Sequence, residues 1–308
     1  MKWIILVGIL VLASLLFIGN PDYYDNRIIK EIWESGHFAL FALLSIGLIL
    51  FTPLQSKNFL IRFIAITVFC LIAGLGTELA QLAFGRSFEL KDIFNDFVGG
   101  YAGFCLMIPG DKTRKTSSVV AIILVFMLSL IGIRDLIFAV VDETRLPKEY
   151  PLLAGFESEL ELGRWDSKHA TLSISDQHTT HGSGSLKINW VPGDYPDVTL
   201  NHFVHDWRDH KAIHFDLYLE GDESLDIVFK VYDRLHPSSG YKFSDRFNEE
   251  ITLKPGINHL SFDLEEVKTR PKSREVDLAN IIAFSVFTID LKKPKTLYLD
   301  SVRLSQFD

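Results

Sequence analysis

Long apolar runs fill the first half of the chain. They cover residues 1–19, 37–53, 59–84, 93–108 and 118–141. Because a bilayer core of about 30 Å is crossed by about 20 helical residues, the runs predict a bundle of about five transmembrane helices. The fourth run is short and interrupted by glycine, which fits either a tilted or a re-entrant helix.

The first run fits either a cleaved signal peptide or an uncleaved first helix. No small-x-small cleavage site follows Phe17, and Asn20-Pro21 is a natural helix end. We therefore favour the uncleaved helix.

The period changes from helical to alternating in the second half. Short strands are predicted at residues 170–175, 185–190, 213–219, 225–232, 259–263, 281–287 and 296–304, with turn residues between them. This pattern is typical of an all-β jelly-roll sandwich. The predicted organisation is a multidomain membrane protein: a helical transmembrane domain at 1–141, a linker at 142–151 and a β-sandwich at 152–308.

Lysine and arginine positions suggest an orientation. With the N-terminus inside, six of these residues lie on the cytoplasmic side: Lys2, Lys57, Arg62, Lys112, Arg114 and Lys115. Four lie on the outer side: Arg27, Lys30, Arg86 and Lys91. The positive-inside rule then predicts a multi-pass protein of a bacterial cytoplasmic membrane. Five spans place the β domain outside the cytoplasm.

Composition excludes one class of partner. The net charge of −8 leaves no basic stripe for phosphates, so no nucleic-acid partner is expected. Both cysteines, Cys70 and Cys105, lie in apolar runs, so the aqueous half has no disulfide.

Polar residues interrupt the membrane half at positions that share helix faces. Glu78 and Gln81 lie on one face with Gly74, and on the next helix Asp92, Asn95 or Asp96, Gly99 and Gly103 share another. We assign a polar site in the outer half of the bundle to His37, Glu78, Gln81, Arg86, Asp92, Asn95, Gly99 and Gly103. The glycine pair allows close helix approach.

Three interpretations of this polar site stay open. It can be an interhelical clasp in which Arg86 pairs with Asp92 or Glu78. It can instead bind a lipid head group or another envelope molecule, since intramembrane ionisable residues are costly and usually functional. Proton-coupled transport is the third.

This ordered set of motifs resembles the VanZ-like membrane family over residues 1–110. A His opens one helix, Glu78-x-x-Gln81 precedes Arg86, and Asp92-x-x-Asn95-x-x-x-Gly99-x-x-x-Gly103 follows. The resemblance implies a membrane bundle and a link to low-level teicoplanin resistance, with no established mechanism. The chain departs from the family at Glu34-Ser35-Gly36 and at Glu89, which weakens any transfer of activity.

Two predicted strands carry polar and aromatic residues opposite their apolar row. Asp216 and Tyr218 lie on one strand, Lys230 and Tyr232 on another, and Arg246 lies in a charged stretch before a third. Aromatic platforms edged by hydrogen-bonding groups suit sugar rings. The five residues are the candidate glycan site, and an ordinary solvated sheet face is the alternative.

The order of features in residues 150–308 resembles carbohydrate-binding jelly rolls of the galactose-binding-like type. The features are Phe156-Glu157, Thr180 to Leu186, Asp206-Trp207, Phe215 to Tyr218 and Tyr298 to Asp300. The resemblance implies a structural calcium ion, with Glu157 and Asp300 as the matching ligands. Capping of a strand end explains the same two residues equally well.

Binding is favoured over catalysis. No Gly-x-Ser-x-Gly elbow, P-loop or dinucleotide fingerprint is present. The predicted function is a membrane-anchored envelope protein that presents a glycan-binding sandwich, with membrane lipid and an envelope polysaccharide or lipid-linked glycan as partners. The alternatives are an enzyme or accessory factor acting on lipid-linked glycan or cell-wall precursors, and a structural scaffold.

Overall fold

A computed structural model of the chain describes residues 2–17, 27–83, 90–108 and 115–306. The chain divides into two compact units, Met1–Phe138 and Ala139–Asp308. The first unit is helical, and the second is built mainly of strands.

Apolar runs form the helices of the first unit. They are α1 (Lys2–Phe17), α2 (Arg27–Glu34), α3 (Gly36–Phe51), α4 (Phe59–Ala83), α5 (Leu90–Leu106), α6 (Lys115–Gly132) and α7 (Arg134–Glu143), the last of which continues into the second unit. Helix α5 packs against α3, α4 and α6 and is therefore central to the described part of the bundle.

The helix lengths correct the prediction of five spans. Among the residues that the structure describes, two helical stretches, Arg27–Phe51 and Phe59–Leu82, are long and apolar enough to cross a membrane. The stretches Val119–Gly132 and Arg134–Glu149 together would make a third, but they are bent by 54° at Ile133, beside the charged pair Arg134 and Asp135. Within the described residues, the first and fourth predicted spans form helices of 16 and 17 residues.

Glycines allow α5 to approach α3. A Cβ atom at Gly99 would lie 2.1 Å from the backbone oxygen of Phe38, and one at Gly103 would lie 2.2 Å from that of Ala42. No larger residue fits at either position without separating the two helices. The spacing of the pair therefore corresponds to a real backbone contact.

The second unit contains two antiparallel sheets. Its elements are α8 (Leu146–Glu149), β1 (Leu152–Ala154), β2 (Trp165–Lys168), β3 (Ala170–Ser175), β4 (Ser185–Trp190), β5 (Asp197–Leu200), β6 (Ala212–Leu219), β7 (Leu225–Asp233), α9 (Leu235–Ser238), β8 (Phe247–Leu253), β9 (Gly256–Asp263), α10 (Leu264–Thr269), β10 (Ile281–Phe287) and β11 (Lys295–Ser305). Sheet A has the order β3-β4-β11-β6-β9, with β1 also paired to β11. Sheet B has the order β2-β5-β10-β7-β8.

Aromatic side chains from both sheets meet in the core. The ring of Phe215 on β6 lies 5.0 Å, centroid to centroid, from that of Phe229 on β7 and from that of Phe284 on β10. All three are fully buried. Burial of this apolar surface is the main stabilising contribution, and it fixes which face of each sheet points outward.

The segment 142–151, predicted as a linker, is part of the second unit. The guanidinium of Arg164 donates to both carboxylate oxygens of Asp142, at 2.9 and 2.8 Å, and to Glu149 at 3.1 Å. Residues Leu146–Glu149 are helical. A buried arginine needs such partners, and here the segment before the first strand supplies them.

Candidate functional site

His37 lies at the centre of a buried polar cluster in the helical unit. Its Nδ1 is 3.0 Å from Oδ1 of Asp96, and its Nε2 is 3.3 Å from Oδ2 of Asp92. Asp92 and Asp96 are one helical turn apart on α5, so both reach the imidazole from the same face. All three side chains are buried.

Helix α4 contributes the other side of the cluster. The amide nitrogen of Gln81 is 3.5 Å from Nε2 of His37, and Glu78 is fully buried nearby. Donor atoms of His37, Glu78 and Asp92 all lie within 4.8 Å of one another, a spacing that could hold a metal ion. Gly74 makes room, because a Cβ atom there would lie 2.8 Å from Oδ2 of Asp96.

The predicted members of this cluster do not all lie together: Gly99 and Gly103 contact the backbone of α3, as described above. His37, Glu78, Gln81 and Asp92 are together. Asn95 instead lines a small cavity of about 160 Å³ that also contains Lys91, whose Nζ lies 2.8 Å from Glu34 and 2.9 Å from Asp135. Arg86 lies outside the described residues.

Asp96 contacts His37 but is missing from the predicted site. It shares a helix face with Asp92, and the sequence leaves Asn95 and Asp96 as alternatives at that position. On an α-helix, residues four positions apart lie closer to the same face than residues three positions apart. The imidazole of His37 contacts both Asp92 and the residue four positions after it, Asp96.

A row of polar side chains crosses the outer face of sheet B. Cross-strand neighbours in antiparallel sheets point to the same face, and the register pairs each residue of the row with the next. From β2 to β8 the row is Asp166, Thr199, Ser285, Lys230 and Asn248. We call this set the polar row.

Hydrogen bonds order the β2 end of the row. The amide of Asn201 donates to Asp166 at 2.6 Å, and the hydroxyl of Thr199 donates to that of Ser285 at 2.9 Å. Burial, opposed by the Asn201 hydrogen bond, raises the pKa of Asp166 to about 6. Burial also raises the pKa of Asp197, one strand over.

Lys230 is the cation of the row, and two aromatic rings support it. Its Nζ lies 5.3 Å from the ring centroid of Tyr232 and 5.4 Å from that of Phe287. Burial and the nearby Arg246 lower the pKa of Lys230 to about 8, against the opposing effect of Asp197. The rings attract the ammonium, but the loss of surrounding water outweighs this attraction and favours the neutral form of Lys230.

The predicted glycan residues lie on opposite outer faces of the sandwich. Lys230 and Tyr232 lie on β7 of sheet B and Arg246 directly precedes β8 of the same sheet, whereas Asp216 and Tyr218 lie on β6 in sheet A. The two faces are separated by the core, so the five cannot form one site. The alternation along each strand was predicted, but the sheet that each strand joins was not.

The two residues on sheet A are engaged by neighbours. The imidazole of His178 stacks on the ring of Tyr218 with centroids 3.5 Å apart, and Asp216 accepts from Nδ1 of His259 at 2.6 Å. Tyr218 therefore offers no open ring on the stacked side.

Glu157 and Asp300 cap the turn at residues 180–184. Asp300 accepts from the backbone nitrogens of Thr180 at 2.6 Å and His181 at 2.8 Å, and Glu157 accepts from that of Ser183 at 2.7 Å. Backbone N–H groups therefore donate to the carboxylate oxygens that would have to bind a calcium ion. These contacts fit the turn-capping interpretation, and the structural calcium ion stays a prediction.

Several residues of the sheet B face were missed in the sequence. Asp166 and Asp197 lie on strands of four residues, which are too short to be recognised from the alternation of polar and apolar positions. Phe287 ends a strand that is apolar except for Ser285, so its sequence shows no alternation. A signal existed only for Phe243, an aromatic residue in the charged stretch before β8, and its side chain is 67% exposed.

Known proteins resemble the second half of the chain in fold. An exo-β-agarase structure is 17% identical with a TM-score of 0.42, over 51% of this chain and 25% of the agarase. A family 11 carbohydrate-binding module from Clostridium thermocellum, solved with a β-1,3-1,4-mixed-linked tetrasaccharide, is 17% identical with a TM-score of 0.39, over 50% of this chain and 94% of the module. A family 30 carbohydrate-binding module of a Clostridium thermocellum cellulase is 17% identical with a TM-score of 0.36, over 48% of this chain and 88% of the module.

No protein-family model and no curated protein sequence matches the chain. The resemblance of residues 1–110 to the VanZ-like family stays a prediction. Among solved structures, the chain is similar to β-sandwiches over its C-terminal half.

Proposed function

We propose that this protein is a membrane-anchored, glycan-binding protein of a bacterial cell envelope. The helical unit anchors the chain in the cytoplasmic membrane, and the β-sandwich lies outside and binds a polysaccharide through the outer face of sheet B. The single observation that carries the glycan proposal is the polar row across all five strands of that sheet.

The anchoring role is supported by apolar side chains that face away from the helical unit. Ile72 and Leu79 on α4 are 68% and 63% exposed, and Ile122 on α6 is 68% exposed. Water would make such surfaces unfavourable, whereas lipid tails suit them. A group of polar side chains is instead buried inside the same unit: His37, Glu78, Gln81, Asp92 and Asp96.

The binding role is supported by the chemistry of the row. The carboxylate of Asp166 and the ammonium of Lys230 are at least partly exposed and can accept from or donate to sugar hydroxyls, whereas the hydroxyls of Thr199 and Ser285 are buried and bond to each other. Phe287, half-buried beside Lys230, provides an aromatic ring of the kind on which sugar rings pack. The opposite outer face has its aromatic and acidic groups paired internally.

The test is saccharide binding by the full-length protein in detergent micelles. A glycan array identifies a ligand, and calorimetry then compares the wild type with Lys230→Met and Phe287→Ala. We expect either substitution to weaken binding about tenfold or more.

Lys187→Met is the matched control. Lys187 is also a lysine over a tyrosine ring, 5.5 Å from the centroid of Tyr298, but it lies on sheet A. Its substitution should leave the affinity unchanged. A protein that binds no saccharide, or that loses binding equally with Lys187→Met, would refute the assignment to sheet B.

The buried cluster around His37 favours a second candidate function, action on a lipid-linked glycan. A histidine between two carboxylates can exchange protons. This alternative predicts turnover of a lipid-linked saccharide that is abolished by Glu78→Gln while saccharide binding persists.

A further inference from the structure

A basic groove lies beside the edge strand of sheet B. It has a volume of about 490 Å³ and lies between the segment before β8 and the segment that follows α10. Its lining contains four cationic side chains and no carboxylate: Lys242, Arg246, Arg270 and Lys272. In a chain with a net charge of −8, this local excess of positive charge is unusual.

Direct ion pairs within the described residues neutralise only part of this charge. Arg270 forms an ion pair with Glu249. Lys242, Arg246 and Lys272 form no ion pair with any residue in the described part of the chain. Unpaired cations at a surface repel one another, and a bound anion would relieve that repulsion.

Arg246 is the central group of the groove. Its guanidinium lies 5.7 Å from the ring centroid of Phe243 and donates no hydrogen bond to any residue that the structure describes. Its Nε is buried without a partner, and so is Oδ1 of Asn248 beside it. An arginine held against an aromatic ring, with its donors unused, is suited to a planar oxyanion.

The walls of the groove are fixed by contacts behind it. The backbone nitrogen of Ser273 donates to the oxygen of Ser244 at 3.1 Å, which joins the two segments. Arg274 pairs with buried Asp233 on β7. The groove therefore keeps its shape without a ligand, which reduces the entropic cost of binding.

The groove is continuous with the polar row. Asn248 belongs to both, and its cross-strand neighbour is Lys230. A saccharide lying along the row would bring its end, or a substituent, to Arg246. Phe243 would then provide an exposed ring at the same position.

We propose that the groove binds an anionic substituent on the sugar, a carboxylate, sulfate or phosphate, so that the ligand of sheet B is an acidic polysaccharide. This inference rests on the proposed saccharide binding. It adds that the ligand is anionic and that Arg246, with Lys242 and Lys272, recognises the charge.

The test uses full-length protein in detergent micelles and four oligosaccharide probes of matched length: a uronate, a sulfated, a phosphodiester-linked and a neutral one. We expect at least one acidic probe to bind about tenfold or more tightly than the neutral one, with an affinity that falls as salt is raised. Comparison of the three acidic probes identifies the anion. Free sulfate and phosphate, tested alone, should bind much more weakly than the same group on a sugar.

Two variants on different segments, Arg246→Gln and Lys272→Gln, should each remove most of the preference for the acidic probe. Both side chains are at least partly exposed, so the melting temperature should not change. Lys187→Gln on sheet A is the control and should preserve the preference.

The outcomes separate the two proposals. Saccharide binding that ignores charge, or a preference for acidic probes that survives both variants, overturns the basic groove and leaves the proposed function intact. Failure to bind any saccharide overturns both.

Discussion

The imidazole of His178 lies almost parallel to the ring of Tyr218, with an angle of 11° between their planes. Tyr298 meets the same imidazole edge-on, at 4.7 Å between centroids. The three rings form one packed group on the outer face of sheet A. Aromatic residues that look available in sequence are thus used for internal packing.

Substitution of Tyr218 should therefore leave saccharide binding unaffected. We expect Tyr218→Ala to change the affinity of the full-length protein by less than about twofold and to lower stability by on the order of 1 kcal/mol through lost ring contacts. Calorimetry and thermal unfolding measure the two effects. A large loss of affinity in Tyr218→Ala, with Phe287→Ala unaffected, would move the site to sheet A.

Lys230 should make stability depend on pH in the alkaline range. Its pKa is about 8 in the folded protein, below the ordinary lysine value of about 10.4. Between these values the unfolded chain binds more protons, so the free energy of unfolding rises with pH, by on the order of 3 kcal/mol. Asp197 and Arg246 are the charged groups that set the size of this effect.

Lys230→Met should be more stable than the wild type at pH 7 and should lose the advantage by pH 10. Urea unfolding of both proteins at the two pH values measures this, and titration of the remaining lysines cancels in the difference. An advantage that stays constant with pH would mean that the lysine is not desolvated.

Arg164→Met should destabilise the second unit strongly. The substitution would leave Asp142 and Glu161, both buried, without the guanidinium that they face. Removing one partner from a buried ion pair costs about 3–5 kcal/mol. Thermal unfolding followed by tryptophan fluorescence measures the loss, since Trp165, Trp190 and Trp207 lie in the core of this unit.

Arg208→Met is the control for this experiment. Arg208 also pairs with an aspartate, Asp206, at 2.6 Å, but its side chain is 64% exposed. An exposed pair contributes at most about 1 kcal/mol. Equal effects of the two substitutions would show that burial does not determine the contribution of Arg164.

Removal of divalent cations should not affect the β unit. Glu157 and Asp300 already accept from backbone N–H groups, so a chelator is expected to leave the melting temperature unchanged. Asp300→Ala should instead lower stability by about 1–3 kcal/mol, because the nitrogens of Thr180 and His181 lose their acceptor. A melting temperature that falls with chelator and recovers with calcium would contradict the capping interpretation.

The faces of individual elements could be predicted from the sequence, and the assembly of elements could not. On β6, Phe215 is buried and Asp216 is not, as the alternation predicts. On α4, Glu78 and Gln81 share a buried face. The periods of a strand and of a helix are local properties, so the order of polar and apolar residues predicts which side chains share a face.

Pairing between distant strands has no comparable signal. Lys230 faces Ser285 on β10, and Asp216 faces Asp300 on β11, although the sequence gives β6 and β7 the same alternating pattern. The sheet that a strand joins depends on contacts more than fifty residues away. This is why the predicted glycan site was divided between two faces, and why its neighbours Asp166 and Asp197 were missed.

Strand β8 is an edge strand of sheet B, and the side chains along its outer edge affect solubility. Glu249 and Glu250 are adjacent there and point to opposite faces, so a strand arriving from another copy would meet a carboxylate on either side. Charged side chains on an open edge discourage strand addition between molecules. At high protein concentration, this protection would keep copies of the chain from joining edge to edge into larger sheets.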